Sequence, residues 1–572
     1  MTNSKKCIAA LMCATLAAAT CSAAATWYPA NDWADLPDPS ANPAARKGGT
    51  IRFSGGQSPK SLNAYVDGNT YAKMMFDLMY ETLLGVDAET HEFRPGLARR
   101  WAVSDDGREF TFVLDERARW SDGLPVTAED VKWTFDTVVD PKTDTGPWKT
   151  ILGSFESPEV VDGRTVVVRR RGDAPRNWRD LMNCSFFWVL PRHAFEGRSF
   201  NSASPVGMPV SSAYMLARVD EQVESEYRRV ENWWRRDMPS AKGVCNFDRI
   251  VVRYHADNEN AFEALKKRAL DVYPVYSARI MNEGAKGERF SRNWILKRRV
   301  RNRAPVGFQG FAMNMRRPPF DNIKVRQAMA LLLDRETMNR TMMNGEYFLL
   351  RSYYTDLYDK DHPCSNVLWP YDPERARKLL AEAGFANGFR FTFLSRSPGD
   401  DKFLALFDAA LRSCGVKMDI VRKDFAGWMR DMDQFNFDMT WASWGASLFR
   451  DPEALWHTRE GQRTGGNNIT GLSVPEIDRL IEEEKGMMSV AEREAAYRKI
   501  DKLIYDAVPY VLLWNTNEHR LLYWNKFGMP ASPLGTYGDE GALLTYWWYD
   551  VDRADELDFA MREAVCLPGP VK

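Results

Sequence analysis

After residue 25 the chain has no apolar run approaching eighteen residues, so nothing in it predicts a membrane-spanning helix. It has six histidines, His91, His193, His255, His362, His457 and His519, and none is paired at ligand spacing. Without an H-E-x-x-H, metal-assisted hydrolysis has no motif. G-x-S-x-G is absent, which removes the usual nucleophile elbow, and so is C-x-x-C. No G-x-x-x-x-G-K-[ST] is present to cradle nucleotide phosphates. Neither sign of charge is in excess, with 77 Lys and Arg against 78 Asp and Glu. That balance argues against nucleic acid and against a broad basic membrane-binding face. Acidic neighbours occur at Asp105-Asp106 and Glu482-Glu483-Glu484, a turn and a helix where solvated charge is the ordinary expectation. Carboxylates from distant segments can meet in a cleft, so glycoside hydrolysis is the residual enzyme reading, with no positive support. The sequence therefore predicts no catalytic residue, no cofactor and no metal.

What is present begins with a leader. Lys5 and Lys6 precede an apolar run over residues 7–19, and Ala23 and Ala25 form an A-x-A arrangement that places cleavage before Thr26. Thr20 and the alanines before Cys21 match a lipoprotein signal poorly, so a soluble periplasmic protein is expected over a lipid-anchored one. Removing the leader takes two lysines and no acids, leaving 75 basic and 78 acidic residues. Three of the eight cysteines leave with it. Cys184, Cys245, Cys364, Cys414 and Cys566 remain, an odd number in an oxidising compartment. One structural bridge plus buried thiols is the expectation, with the pairing left open.

Residues 26–45 are rich in Pro, Ala and Asp and read as an extended lead-in. Beyond them β-rich runs alternate with punctuated helices, which predicts an α/β fold without repeats. Thr127 and Asp130 form a capping-box start before the stripe Val131, Phe135, Val138 and Val139. Asp321 and Asp334 are candidate caps of two further helices, the second ending near Gly345. Asp372-Pro373 opens another that Gly384 closes. Ser473 with Glu476 and Ser489 with Glu492 are two more S-x-x-E boxes, the second leading a helix stopped by Pro509. Residues 165–168, 250–254 and 390–394 read as strands.

Four separated segments carry a resemblance. The first is Tyr80-Glu81-Thr82-Leu83-Leu84 with residues 97–141. The second is residues 247–254, followed by 260–266 and 271–273. The third is residues 313–321 with Val325-Arg326-Gln327-Ala328, and the fourth is residues 371–385. Together, and in this order, they resemble the extracellular solute-binding proteins of family 5, the oligopeptide/nickel-type receptors of ABC importers. The ending, residues 523–527 and 546–550, is most similar to the branch that takes up peptide conjugates such as microcin-type molecules.

The resemblance implies a two-lobed periplasmic binding protein of the large class, closing on its ligand by hinge motion. It places the first lobe at residues 46–83, 209–300 and 516–572, an extra subdomain at 84–208, and the second lobe at 301–515. A permease would read the closed shape, and the ATPase would be a separate polypeptide. The receptor itself is expected to be a monomer. The ligand implied is a peptide or peptide-like solute, with an opine-like sugar phosphate, a metal chelate or an oligosaccharide as non-peptide alternatives. The pocket segment corresponds to residues 441–447. Where free-oligopeptide receptors commonly hold an aspartate for the peptide's ammonium, this chain has Ser447. A hydroxyl supplies no charge there, which favours a blocked or conjugated ligand. Trp444 is the implied platform, Trp148, Phe425 and Trp514 are implied pocket aromatics, and Asn69 lies in the first-lobe loop implied to face the cleft. A sensor or chaperone of the same fold would use the same closing cleft.

Overall fold

The computed structural model describes residues 25–29 and 36–570, apart from 68, 174, 203, 256, 276, 278 and 397 and the side chains of 147, 398, 425 and 426. The leader over residues 1–24 lies outside the described residues. No helix of the described residues is long and apolar enough to cross a membrane.

Three sheets organise the chain. A seven-stranded sheet runs in the order Ile295–Arg301, Glu518–Trp524, Val272–Pro274, Thr50–Ser54, Arg249–Arg253, Glu224–Arg229, Tyr214–Asp220. Its strand Thr50–Ser54 is parallel to both neighbours, while the flanking strands are antiparallel. A second, five-stranded sheet runs Lys417–Arg422, Arg390–Ser395, Met439–Trp444, Phe308–Met313, Tyr510–Leu512, with its first three strands parallel. These two sheets are the cores of the first and second lobes. A third sheet is wholly antiparallel and belongs to the inserted subdomain. It runs Ala25–Tyr28, Ala98–Ser104, Glu109–Leu114, Thr165–Arg169, Glu159–Asp162. Part of the expected lead-in is thus an edge strand, with Tyr28 opposite Trp101 and the two rings stacked at 5.8 Å.

Burial follows from strand alternation. In Phe308–Met313, Phe311 and Met313 enter one buried cluster while Phe308 and Ala312 enter another on the opposite face. Helices cover both faces of this sheet, so the strand reads as nearly continuous apolar sequence. The first lobe and the inserted subdomain share one cluster, which includes Phe53 and Ile250 together with Phe110 and Val166.

Most helix starts obey their local chemistry. Thr127 and Asp130 make the reciprocal capping box, and Asp334 and Asp372 cap their helices through side-chain oxygens. Three expectations need correction. The cap expected at Asp321 is Asn322, whose side chain accepts from Lys324 N. Ser473 caps nothing, because Pro475 takes the first helical position and makes Val474 the boundary residue. Ser489 holds the N-cap position without the side-chain bond.

The expected disulfide is also absent, and all five cysteines are free. Cys184 and Cys245 fill the first cluster and Cys414 fills another, each acting as a small apolar side chain within its own lobe. Titration with a thiol reagent in denaturant, without reductant, should therefore count five thiols per mature chain. In the native protein exposed Cys566 should react first and half-buried Cys364 more slowly. A count lower by a pair would show that a bridge forms.

Candidate functional site

The chain passes between the two lobe sheets through residues 302–307 and 513–517. Strand register shows where these crossings emerge. Arg301 pairs with Glu518 at the same edge of the first sheet where Ser54, Pro274 and Arg253 end their parallel strands. In the second sheet Phe308 pairs with Trp444, so the crossing enters at the edge where Ser395, Arg422 and Trp444 end theirs. The carboxyl ends of both parallel sets thus face each other across the hinge, where open α/β sheets offer backbone and loop groups to ligands.

Most of the candidate residues lie along these two edges. Asn69 ends the loop after Thr50–Ser54 and caps the helix Thr70–Asp77, accepting from Tyr71 N and Ala72 N at 3.0 Å each. Its oxygen is thereby engaged, and its amide nitrogen donates to the Gln57 carbonyl at 3.5 Å within the same loop. Trp148 comes from the inserted subdomain and packs at 5.4 Å on Tyr65 of that same loop. On the opposite edge Trp444 is half-buried and donates to Tyr510 Oη at 3.0 Å. Burial raises the Tyr510 hydroxyl above its ordinary pKa, so it stays protonated and holds the indole in one orientation. Ser447 is exposed, and its hydroxyl accepts from Phe449 N at 3.1 Å. Phe425 opens the helix Phe425–Asp433 after the strand Lys417–Arg422, and its side chain lies outside the described residues. Trp514 does not share this setting. It is 1 % exposed and packs on Phe403 at 5.3 Å, inside the second lobe's core. Its strand Trp514–Asn515 pairs with Phe348–Leu349, which turns the indole inward.

The crossing is tight against this edge. A Cβ on Gly307 would meet the Trp444 carbonyl at 1.9 Å, so only glycine allows the hinge strand to lie so close. At the crossing Asn302, Arg303, Thr355, Tyr358 and Asn517 line a space of about 300 Å³. The Ser54 hydroxyl and His255 Nδ1 lie 3.2 Å apart at the first-lobe edge, and burial lowers the His255 pKa, keeping the ring neutral at neutral pH.

The two lobes also touch far along the chain from the hinge, through residues that sequence reasoning missed. Glu484 was expected to be solvated and is 0 % exposed. It accepts from Trp178 Nε1 at 2.7 Å and from Arg179 Nη1 at 3.1 Å, both in the inserted subdomain, and from the Tyr497 hydroxyl. Trp178 is flanked by the guanidinium groups of Arg179 at 4.7 Å and Arg493 at 4.0 Å. Phe449, beside Ser447, packs against Phe186 at 5.7 Å and Trp178 at 6.0 Å. Nearer the hinge Glu346 accepts from Asn282 and Arg299 of the first lobe. The signal for Glu484 was available. It follows Ile477, Leu480 and Ile481 at helical spacing, on the buried stripe of its helix.

The family description "Bacterial extracellular solute-binding proteins, family 5 Middle" matches residues 92–466. The peptidoglycan-binding protein YepA of Agrobacterium fabrum is 27 % identical over 89 % of this chain and 92 % of its own length. The unliganded, open form of the periplasmic murein tripeptide binding protein MppA superimposes with a TM-score of 0.71 at 17 % identity, covering 89 % of this chain and 99 % of its own. The periplasmic binding protein DppA of Helicobacter pylori, in complex with the peptide STSA, gives 0.63 at 18 % identity over 88 % and 99 %.

Replacing Glu484 by Ala would leave Arg179, Trp178 and Tyr497 without their acceptor only while the lobes touch. Breaking a buried pair costs about 3–5 kcal/mol, and opening relieves much of it by hydrating Arg179. Small-angle scattering of Glu484→Ala should show a larger radius of gyration than the parent protein. An unchanged scattering curve would show that Glu484 does not hold the two lobes together.

Proposed function

Because the chain belongs to the bacterial extracellular solute-binding proteins of family 5, we propose that its hinge cleft captures a peptide-like solute whose amino end carries no charge. It is a receptor of the ABC-importer type, not an enzyme. The observation that carries the ligand class is the pairing of an aromatic platform, Trp444, with the uncharged and exposed Ser447 at the carboxyl edge of the second lobe. An ammonium there would find a hydroxyl that gives about half the strength of a charge-assisted bond. A capped or conjugated peptide loses nothing by the exchange, nor does a murein peptide still joined to its sugar through its amino end, and a relative is described as peptidoglycan-binding.

In this reading Trp444, Ser447, Trp148, Phe425 and Asn69 line the solute, and Trp514 supports them from behind. Closing brings Glu484 onto Arg179 and completes the surface that a permease, working with a separate ATPase, reads. The receptor acts as a monomer after cleavage before Thr26. Sheet membership supports residues 46–83, 209–300 and 516–572 as the first lobe, 84–208 as its inserted subdomain and 301–515 as the second.

Native mass spectrometry of protein taken from the periplasm should show a co-purified peptide-like mass lacking a free amino terminus. Recovery of an ordinary peptide ladder would overturn the reading. Ser447→Asp, at an exposed position, should strengthen binding of a free-amino peptide roughly tenfold relative to its acetylated form. Equal effects on both would show that residue 447 does not meet the amino end.

A further inference from the structure

A second cavity, of about 480 Å³, lies within the first lobe and its inserted subdomain. None of its lining residues belongs to the crossings or to the second lobe. Its walls are the end of the helix Thr70–Asp77 and the residues after it, the hairpin Leu84–Val86 with Phe93–Pro95, the segment 233–245 and the helix Gly541–Tyr546.

Three buried side-chain polar atoms with no hydrogen-bond partner among the described residues belong to residues lining this one space. They are Tyr80 Oη, Trp233 Nε1 and Ser240 Oγ. Tyr80 is 1 % exposed, and an unmade bond on a buried group is destabilising. All three atoms can donate. Arg235 Nε lies 2.8 Å from Glu81 Oε1, so those two charges balance each other.

Three further charged groups line the space without an ion pair among the described residues: Arg94, Asp77 and Asp38, whose carboxylate accepts from the Tyr546 hydroxyl at 3.2 Å. The Arg94 side chain is half-buried and makes no hydrogen bond among the described residues, although its charge acts on Asp87 and Tyr546. Asp77 accepts from Trp188 Nε1 at 2.6 Å and has no cation at ion-pair distance among the described residues. Burial pushes its carboxyl pKa up to about 6, against the pull of the Trp188 bond. Yet Asp77 keeps exposed surface. Its carboxylate is among the groups that line the cavity. The space thus offers one cation, Arg94, two carboxylates, Asp77 and Asp38, and a surplus of donors.

We propose that this cavity binds a small zwitterion, a free α-amino acid, its carboxylate taken by the donor set led by Arg94 and its ammonium by Asp77. Opposite unpaired charges on one wall set match a molecule carrying both signs, whereas a simple anion would meet Asp77 and a simple cation would meet Arg94. The orphaned hydroxyls and indole N–H supply the remaining bonds to the carboxylate. Water fills the same volume when no solute is present. The site is separate from the hinge cleft and does not depend on what that cleft carries.

Calorimetric titration of the whole mature protein with glycine, L-alanine, L-glutamate and L-lysine tests it. At least one probe should bind at millimolar concentration or below. Arg94→Gln and Asp77→Asn should each weaken that binding about tenfold or more, and Tyr80→Phe, which removes one oxygen, about threefold. Trp444→Ala in the hinge cleft should leave it unchanged. Absence of heat for every probe would overturn the proposal and leave a hydrated void. So would binding that Trp444→Ala abolishes and that Tyr80→Phe and Arg94→Gln spare, since it would place the amino acid in the cleft. Should Arg94→Gln fail to fold, Tyr80→Phe alone still decides between the two sites. Failure of the cleft reading would show instead as amino-acid binding retained by a protein that co-purifies with no peptide-like mass.

Discussion

The constraint on which the rest depends is that two lobes of unrelated sheet order are joined by two short crossings emerging at one edge. Because both crossings leave each sheet where its parallel strands end, the loops after Ser54, Ser395, Arg422 and Trp444 gather around the hinge. A solute held there touches both lobes only when they close, which converts binding energy into a change of shape. Gly307 sets how tightly this can be done, since its backbone lies directly on the Trp444 carbonyl.

The second determinant is Glu484. Its carboxylate is fully buried and gathers donors from the inserted subdomain and from its own lobe. Such a pair contributes little net stability when formed and a large penalty when half-broken, so it acts more as a selector of geometry than as glue. The indole of Trp178 between two guanidinium groups adds orientation to that selection. The inserted subdomain is therefore part of the closing surface as well as an extension of the first lobe.

Much of the fold was legible because its cues are local. The Thr127–Asp130 box, the Asp372-Pro373 start and the β-branched strands all act within a few residues, and the structure contains each of them. The errors came where two local signals compete, as at Ser473, where a proline two residues on outranks the hydroxyl. Asn69 and Trp444 were legible as candidates only through resemblance, because strand register and not spacing sets them at the two facing sheet edges. Trp514 illustrates the limit, since an aromatic beside the hinge can face inward as readily as outward. Glu484 was hidden by its acidic neighbours, although its place on the apolar stripe marked it. The missing disulfide reflects chemistry that spacing cannot encode, because the buried thiols of Cys184, Cys245 and Cys414 serve as apolar packing groups.

The order of strands in the first sheet has a consequence for how the molecule is assembled. Glu518–Trp524 lies between Ile295–Arg301 and Val272–Pro274, so this sheet cannot be completed until the chain has been delivered almost to its end. The second sheet needs only the continuous stretch from Phe308 to Leu512. As the chain is delivered from its amino end the later lobe can therefore fold first, while the earlier one waits as an unfinished sheet with an open seam. That seam, from Val272–Pro274 to Ile295–Arg301, is the interval in which the nascent chain is most exposed to wrong pairing. The polar run Lys297-Arg298-Arg299 on its border is well suited to keeping it apart from other edges until its own strand arrives.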